Sequence, residues 1–304
     1  MVVWFIGAEL VRQWREFRGT PFVVHPNWMI IVASGLVFLA THAVLVETLR
    51  RILLVWNAES GSRRAHLSFL TVARLWSISN FGRYVPGKVW GIGAMAAMAQ
   101  QAGVQGVAAA GSAVLSTIVN ISTGILVALV AGWRAFDRLS QGRTWLGLAL
   151  LGAAVVGLAL MPMLLPRMLD VVRRVTGRSV SVTSIPPRAV YTALAGNLLS
   201  WLMYGAAFQV FVLGVLGDAP GSFADYVTAY AWPYILGYLA VFAPGGLGVR
   251  EGALAVALVA LNIATPEEAF FVSVTSRLWL TVLELLPGLI FLATGARPRS
   301  KATH

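Results

Sequence analysis

Phe242-Ala243-Pro244-Gly245-Gly246-Leu247-Gly248-Val249-Arg250-Glu251 interrupts an apolar tract. Proline inside a helix removes a hydrogen bond and kinks or breaks it, and the glycines at 245, 246 and 248 leave the backbone free to turn. Apolar runs flank this break on both sides, Tyr226–Phe242 before it and Ala253–Ile263 after it. An earlier stretch is built the same way. Asn80-Phe81-Gly82-Arg83-Tyr84-Val85-Pro86-Gly87-Lys88-Val89-Trp90 separates Leu67–Ile78 from Val89–Ala99. Each break reads aromatic-Val/Ala-Pro-Gly. Each leads into an Ala-rich apolar helix, a short polar turn (Ala102–Gln105; Asn262–Glu268) and a long apolar span. The two Pro-Gly pairs, at 86 and 244, are 158 residues apart. Both breaks carry a Gly-xxx-Gly pair, Gly87/Gly91 and Gly248/Gly252, a spacing that lets membrane helices approach closely.

Working outward, the tract belongs to a chain made for lipid. Of 304 residues 58% are hydrophobic and 12% charged, and the mean hydropathy is +0.77. Soluble domains carry about 25% charged residues, and a soluble fold could not hide this much apolar surface. A membrane helix needs about 20 mostly apolar residues. Trp28–Leu45, Val107–Gly132, Trp145–Leu165, Ala189–Leu216 and Ala269–Ala293 qualify or come close. Three of these lie between the breaks, so the second copy should face the opposite way, as in transporters with inverted repeats. The expected fold is an all-α integral membrane protein: a multi-pass helical bundle in one membrane domain, residues 1–304. Its inverted repeats cover about 66–132 and 224–294, each with a Pro-Gly-broken helix hairpin, either re-entrant or spanning.

Loop charge suggests an orientation. Arg167, Arg173, Arg174, Arg178 and Arg188 in the central loop, with Arg297, Arg299 and Lys301 in the tail, point to the cytoplasm. Asp218, Asp225, Glu267 and Glu268 point outside. Arg134, Arg138 and Arg143, and the N-terminal Arg12, Arg15 and Arg18, run against this pattern. The net charge of +11 therefore reads as positive-inside bias; with no basic face beside stacking aromatics, no nucleic-acid partner is expected. With no cysteine, disulfides and thiolate chemistry are excluded. The start shows no removable signal peptide, and Trp4, Phe5 and Trp14 suit an interfacial helix. The expected location is the cell (inner or plasma) membrane.

Seven charged residues fall in or beside the apolar segments: Arg74, Arg83, Lys88, Arg250, Glu251, Arg277 and Glu284. Each costs roughly 2.5–3.5 kcal/mol at the bilayer centre, so they must snorkel, pair or line a wet cavity. Arg83, Lys88 and Arg250 cluster at the breaks. New helices should begin at about Lys88 and Gly246, with free N–H groups and a positive dipole end poised for an anion. Arg or Lys beside such an end is a phosphate-binding arrangement. Interfacial snorkelling of Arg83 and Lys88 and simple capping by Glu251 are the structural alternatives; recurrence at two matching breaks favours a site. Arg277 and Glu284, seven apart, share one helix face. They are too far apart to pair, and Glu251 is the expected partner of Arg277.

Other motifs fail on detail. Gly82–Lys88 resembles a P-loop, but Val89 stands where the magnesium-binding hydroxyl belongs. His25, His42, His66 and His304 show no ligand spacing, and no nucleophile or paired-carboxylate set can be assembled. No metal, cofactor or catalytic residue is expected, and the chain is read as not an enzyme.

The stretches Asn80–Trp90 and Ala243–Glu251, with Arg277 one helix later, resemble the flippase-like membrane domain of lysylphosphatidylglycerol synthases. The resemblance spans about residues 25–295 and implies lipid handling. Pro86, Gly87, Pro244, Gly245, Gly246, Arg250, Glu251 and Arg277 match its motif positions. The 304 residues hold no soluble aminoacyl-transfer domain, so synthase activity is not carried over. The acidic residue often found after the first Pro-Gly in this family is missing from Gly91–Gly93. The expected function is a lipid translocase or flippase-like carrier for an anionic-headgroup lipid, phospholipid or polyprenyl-linked. Arg83, Lys88, Arg250 and Arg277 would contact phosphate, and Glu251 would orient an arginine or bind an amine or proton. The alternative is a non-catalytic membrane subunit that docks a glycosyltransferase or lipid-modifying synthase through Asn57–Arg64 and Leu165–Arg188.

Overall fold

A computed structural model describes residues 26–59, 67–84, 89–133, parts of 145–160, 186–240 and 243–294. Among the described residues the secondary structure is helical, with no strand. The helices complete within the described residues are α1 (Trp28–Glu59), α2 (Phe69–Ser79), α3 (Val89–Gln101), α4 (Gly106–Ala131), α5 (Pro187–Leu216), α6 (Phe223–Leu239), α7 (Val249–Ala260) and α8 (Pro266–Ala293), with further helical residues in 145–160. Short 3-10 turns, Asn80–Tyr84 and Pro244–Gly246, mark the two breaks. The chain is an all-α membrane protein. Among the described residues four helices, α1, α4, α5 and α8, are long and apolar enough to cross a bilayer. Of the other four, α2, α3 and α7 have 11, 13 and 12 residues, below the span of a ~30 Å hydrocarbon core.

Helix starts follow local chemistry. Asn27 Oδ1 accepts the N–H groups of Met29 and Ile30 to open α1. Ser68 caps α2 through the Thr71 N–H. At α6 the Ser222 N–H donates to Asp225 Oδ2 at 2.7 Å, and at α8 the Thr265 N–H donates to Glu268 Oε2 at 2.9 Å. Both are capping boxes. Two of the four acids that suggested an outside face thus have a local structural use.

The order of elements recurs. Helices of 32, 11, 13 and 26 residues are followed by helices of 30, 17, 12 and 28. The starts of α5, α7 and α8 (187, 249, 266) follow those of α1, α3 and α4 (28, 89, 106) by 159 or 160 residues. Packing crosses between the halves: α2 lies against α8, α6 against α4, and α1 runs along α5. The two broken turns touch each other. Small residues allow the closest crossings. A Cβ at Gly205 would come within 2.8 Å of Val227 Cα, and one at Gly288 within 2.7 Å of the Phe81 ring.

The surface is inverted relative to a soluble protein. On α8, Leu278, Val282, Leu286 and Leu289 are exposed, while Ser273, Ser276, Arg277 and Glu284 are buried. On α5, Leu199 and Leu202 face out, and Asn197 and Ser200 face in. Hydrocarbon can cover such an outside, and the polar groups inside must satisfy one another. One expectation is corrected here. Gly252 does not mediate close helix packing, because a Cβ there meets no atom within 4 Å. The close approach at this break is made instead by Gly246, whose added Cβ would lie 2.9 Å from Gly237 Cα on α6.

Candidate functional site at the second break

The segment after Ala243 turns because glycine permits it. Gly245, Gly246 and Gly248 have φ of 62°, 73° and 80°, where a side chain is strained. Pro244–Gly246 forms one 3-10 turn, and α7 starts at Val249, three residues later than the sequence suggested. Arg250 and Glu251 therefore stand in the first turn of α7. Glu251 reaches back, and its Oε2 accepts the Gly248 N–H at 2.7 Å. One of the free N–H groups expected to meet an external anion is thus taken by the protein's own carboxylate.

The other oxygen of Glu251 faces α8. Arg277 Nε lies 3.1 Å from Glu251 Oε1, with both side chains about nine-tenths buried. The two atoms are off the line of a good hydrogen bond, so this is a close ion contact; the aligned bond of Arg277 runs from Nη2 to Gly245 O at 2.7 Å. One arginine thereby ties α8 both to the broken turn and to the start of α7. The pairing expected from sequence, Glu251 with Arg277, is the one formed.

Arg250 points toward α6. Its guanidinium carbon sits 5.3 Å from the Tyr230 ring centroid and 4.9 Å from that of Tyr234, and the residue is 7% exposed. Guanidinium over aromatic faces is a favourable way to hold a desolvated cation. Glu284 also acts on Arg250 electrostatically. Two arginines and two glutamates, Arg250, Arg277, Glu251 and Glu284, thus balance in charge on the inner faces of α7 and α8.

Behind the tyrosines lies a chamber of about 140 Å³. Its wall includes Thr48 of α1, Asn80 of the first break, Asn120 of α4, Asn197 and Trp201 of α5, Tyr230, Tyr234 and Tyr238 of α6, and Glu284 of α8. Asn120 Nδ2 donates to Asn197 Oδ1 at 2.9 Å, and Asn197 Nδ2 to Ala193 O at 2.8 Å. The Trp201 indole N–H is shared between Asn120 O and Thr123 Oγ1, each at 3.2 Å. Tyr204 and Tyr230 stack at 5.1 Å. The chamber wall is thus mixed, with amides, hydroxyls, tyrosines and one carboxylate beside Leu45, Leu49, Trp76 and Met95.

Residues 1–288 match the family described as the lysylphosphatidylglycerol synthase TM region. The chain belongs to that family. No curated protein matches it. Membership makes this a membrane domain of a family linked to lipid modification or transport.

Of the residues singled out from sequence, this member of the lysylphosphatidylglycerol synthase TM-region family brings Gly245, Gly246, Arg250, Glu251 and Arg277 together around the second break, with Pro244 in the turn itself. Arg83 falls in the turn Asn80–Tyr84, but its side chain, like Pro86, Gly87 and Lys88, lies outside the described residues. So do residues 60–64 of the docking stretch Asn57–Arg64, residues 165–185 of Leu165–Arg188, and the termini 1–25 and 295–304. Sequence reasoning missed Asn120, Asn197 and the tyrosine wall. Uncharged amides in the middle of spans were the available signal, since each must find a partner away from water.

Proposed function

We propose that this protein is a lipid translocase, a flippase-like carrier in the cell membrane for a lipid with an anionic headgroup, phospholipid or polyprenyl-linked. The observation that carries the reading is the chamber lined from both sides of the meeting breaks, with Asn80 in its wall and Tyr238 six residues before Pro244. A headgroup crossing a bilayer loses its water, and a buried polar surface lets it do so without meeting hydrocarbon. Arg250, held behind Tyr230 and Tyr234, supports an anionic preference. A turn of either ring would let its guanidinium fork reach a phosphate. In this reading the two halves are inverted repeats that rock against each other about the touching breaks.

The test is headgroup crossing in liposomes that contain the purified protein, with fluorescent anionic and zwitterionic lipids. Anionic lipid should cross faster than in protein-free vesicles, and Arg250→Ala should slow it by about tenfold or more, the worth of one charge-assisted hydrogen bond. Arg250→Lys keeps the charge but loses the planar stack and should fall between the two. An unchanged rate in folded Arg250→Ala removes Arg250 from the site. No crossing of either lipid by the folded parent protein overturns translocation of those headgroups.

A further inference from the structure

A second cavity lies beside the chamber, on three of the helices that line it. It is a groove of about 690 Å³ along the seam of α4, α5 and α6, walled by Leu126, Val127, Val130, Leu198, Leu202 and Phe223. Val130, Leu202 and Phe223 are 57%, 45% and 44% exposed, so the groove opens sideways, on helices of which α4 and α5 are membrane spans by length and hydropathy. At one end stand Trp133, Ser222 and Asp225, an aromatic and polar margin of the kind found at membrane–water interfaces.

Groove and chamber use neighbouring positions. On α5, Asn197 and Trp201 line the chamber and Leu198 and Leu202 the groove. On α6, Tyr230 lines the chamber and Val227, one turn earlier, the groove. On the chamber side Trp201 is fully buried and pinned through its indole N–H to α4. Its ring lies directly on Gly124, where an added Cβ would come within 2.6 Å. Trp201 thus fills the space between α4 and α5 at the edge of the chamber, set on a bare stretch of backbone.

We infer that the α4–α5–α6 groove is a binding site for the long hydrocarbon tail of an amphiphile whose headgroup occupies the chamber; this rests on the translocase reading. An amphiphile needs both surfaces at once, and a membrane lipid reaches the groove by lateral diffusion. Its polar end then meets Asn120 and Asn197, uncharged side chains that line the chamber from α4 and α5.

The test uses the full chain in phosphatidylcholine vesicles with rising fractions of a phosphatidylglycerol whose acyl chain carries a diazirine. After illumination, peptide mass spectrometry maps the adducts. A specific tail site labels saturably, whereas bulk lipid contact grows in proportion to probe. Adducts at Val130, Leu198 and Leu202 should saturate, and those at the outward-facing Val256 and Leu289 should rise linearly. Val130→Trp fills the groove from an exposed position and should remove the saturable labelling severalfold; Leu202→Trp serves if the first variant does not fold. Linear labelling in the groove, or saturable labelling that survives both fillings, overturns the tail site. Saturable labelling without any headgroup crossing leaves the tail site standing and overturns translocation alone.

Discussion

Glu251→Gln should destabilise the folded protein by about 3–5 kcal/mol, because it leaves Arg277 buried without its counter-charge. Arg277→Met should cost a similar amount for the converse reason, and it also removes the donor from Gly245 O. The double variant should lose clearly less than the sum, with a coupling of up to ~3 kcal/mol, since no unpaired charge remains in a site nine-tenths buried. The measurement is unfolding in detergent micelles, by heat or by a denaturing detergent, across the four proteins of the cycle. Additive losses would mean that the 3.1 Å contact is incidental. Most of the cost should come from stranding a charge. Replacing both residues with well-packed apolar side chains can therefore leave the protein as stable as before while changing how α7, α8 and the broken turn move together. A double variant of that kind, folded but impaired in headgroup crossing, would assign the pair to the working cycle of the carrier and not to its stability.

Much of this was legible in the sequence, for identifiable reasons. The long spans and the short apolar runs were readable from length and hydropathy, and the described residues of each lie mostly in a helix. The second break was legible because three glycines, 245, 246 and 248, follow Pro244; proline alone does not decide it, since Pro233 and Pro287 lie inside α6 and α8. Glu251 and Arg277 could be matched because charges in such tracts must find partners. What was not legible came from neutral groups and three-dimensional closeness. Asn120 and Asn197 are 77 residues apart and carry no charge, so nothing in either span announces the other. The tyrosine wall looks like ordinary apolar helix until Arg250 is seen against it. The Gly248/Gly252 spacing suggested helix packing, yet the first residue supplies a positive φ and the second faces open space. A spacing motif fixes which residues share a face; only the fold decides what that face meets.

That difference gives the second large prediction. Gly246→Ala should destabilise the protein by about 2–5 kcal/mol, combining a side chain forced into the left-handed region with overpacking against a neighbour that cannot step aside. The obstacle is backbone: the new Cβ would lie 2.9 Å from Gly237 Cα and 3.0 Å from Gly237 O. Relief would require α6 to move away from the break. The same shift would draw Tyr230 and Tyr234 off Arg250, because Gly237 also packs closely on Arg250 Cβ. Headgroup crossing should therefore fall along with stability. Gly252→Ala is the control. It sits inside α7 with no atom within 4 Å of the added methyl, and it should gain about 0.5–1 kcal/mol from the better helix former. Both variants can be compared by unfolding in the same detergent. Equal losses would put the close contact back on the Gly248/Gly252 face of α7. A loss confined to Gly246 fixes it at α6, where the broken turn holds the arginine against the wall of the chamber.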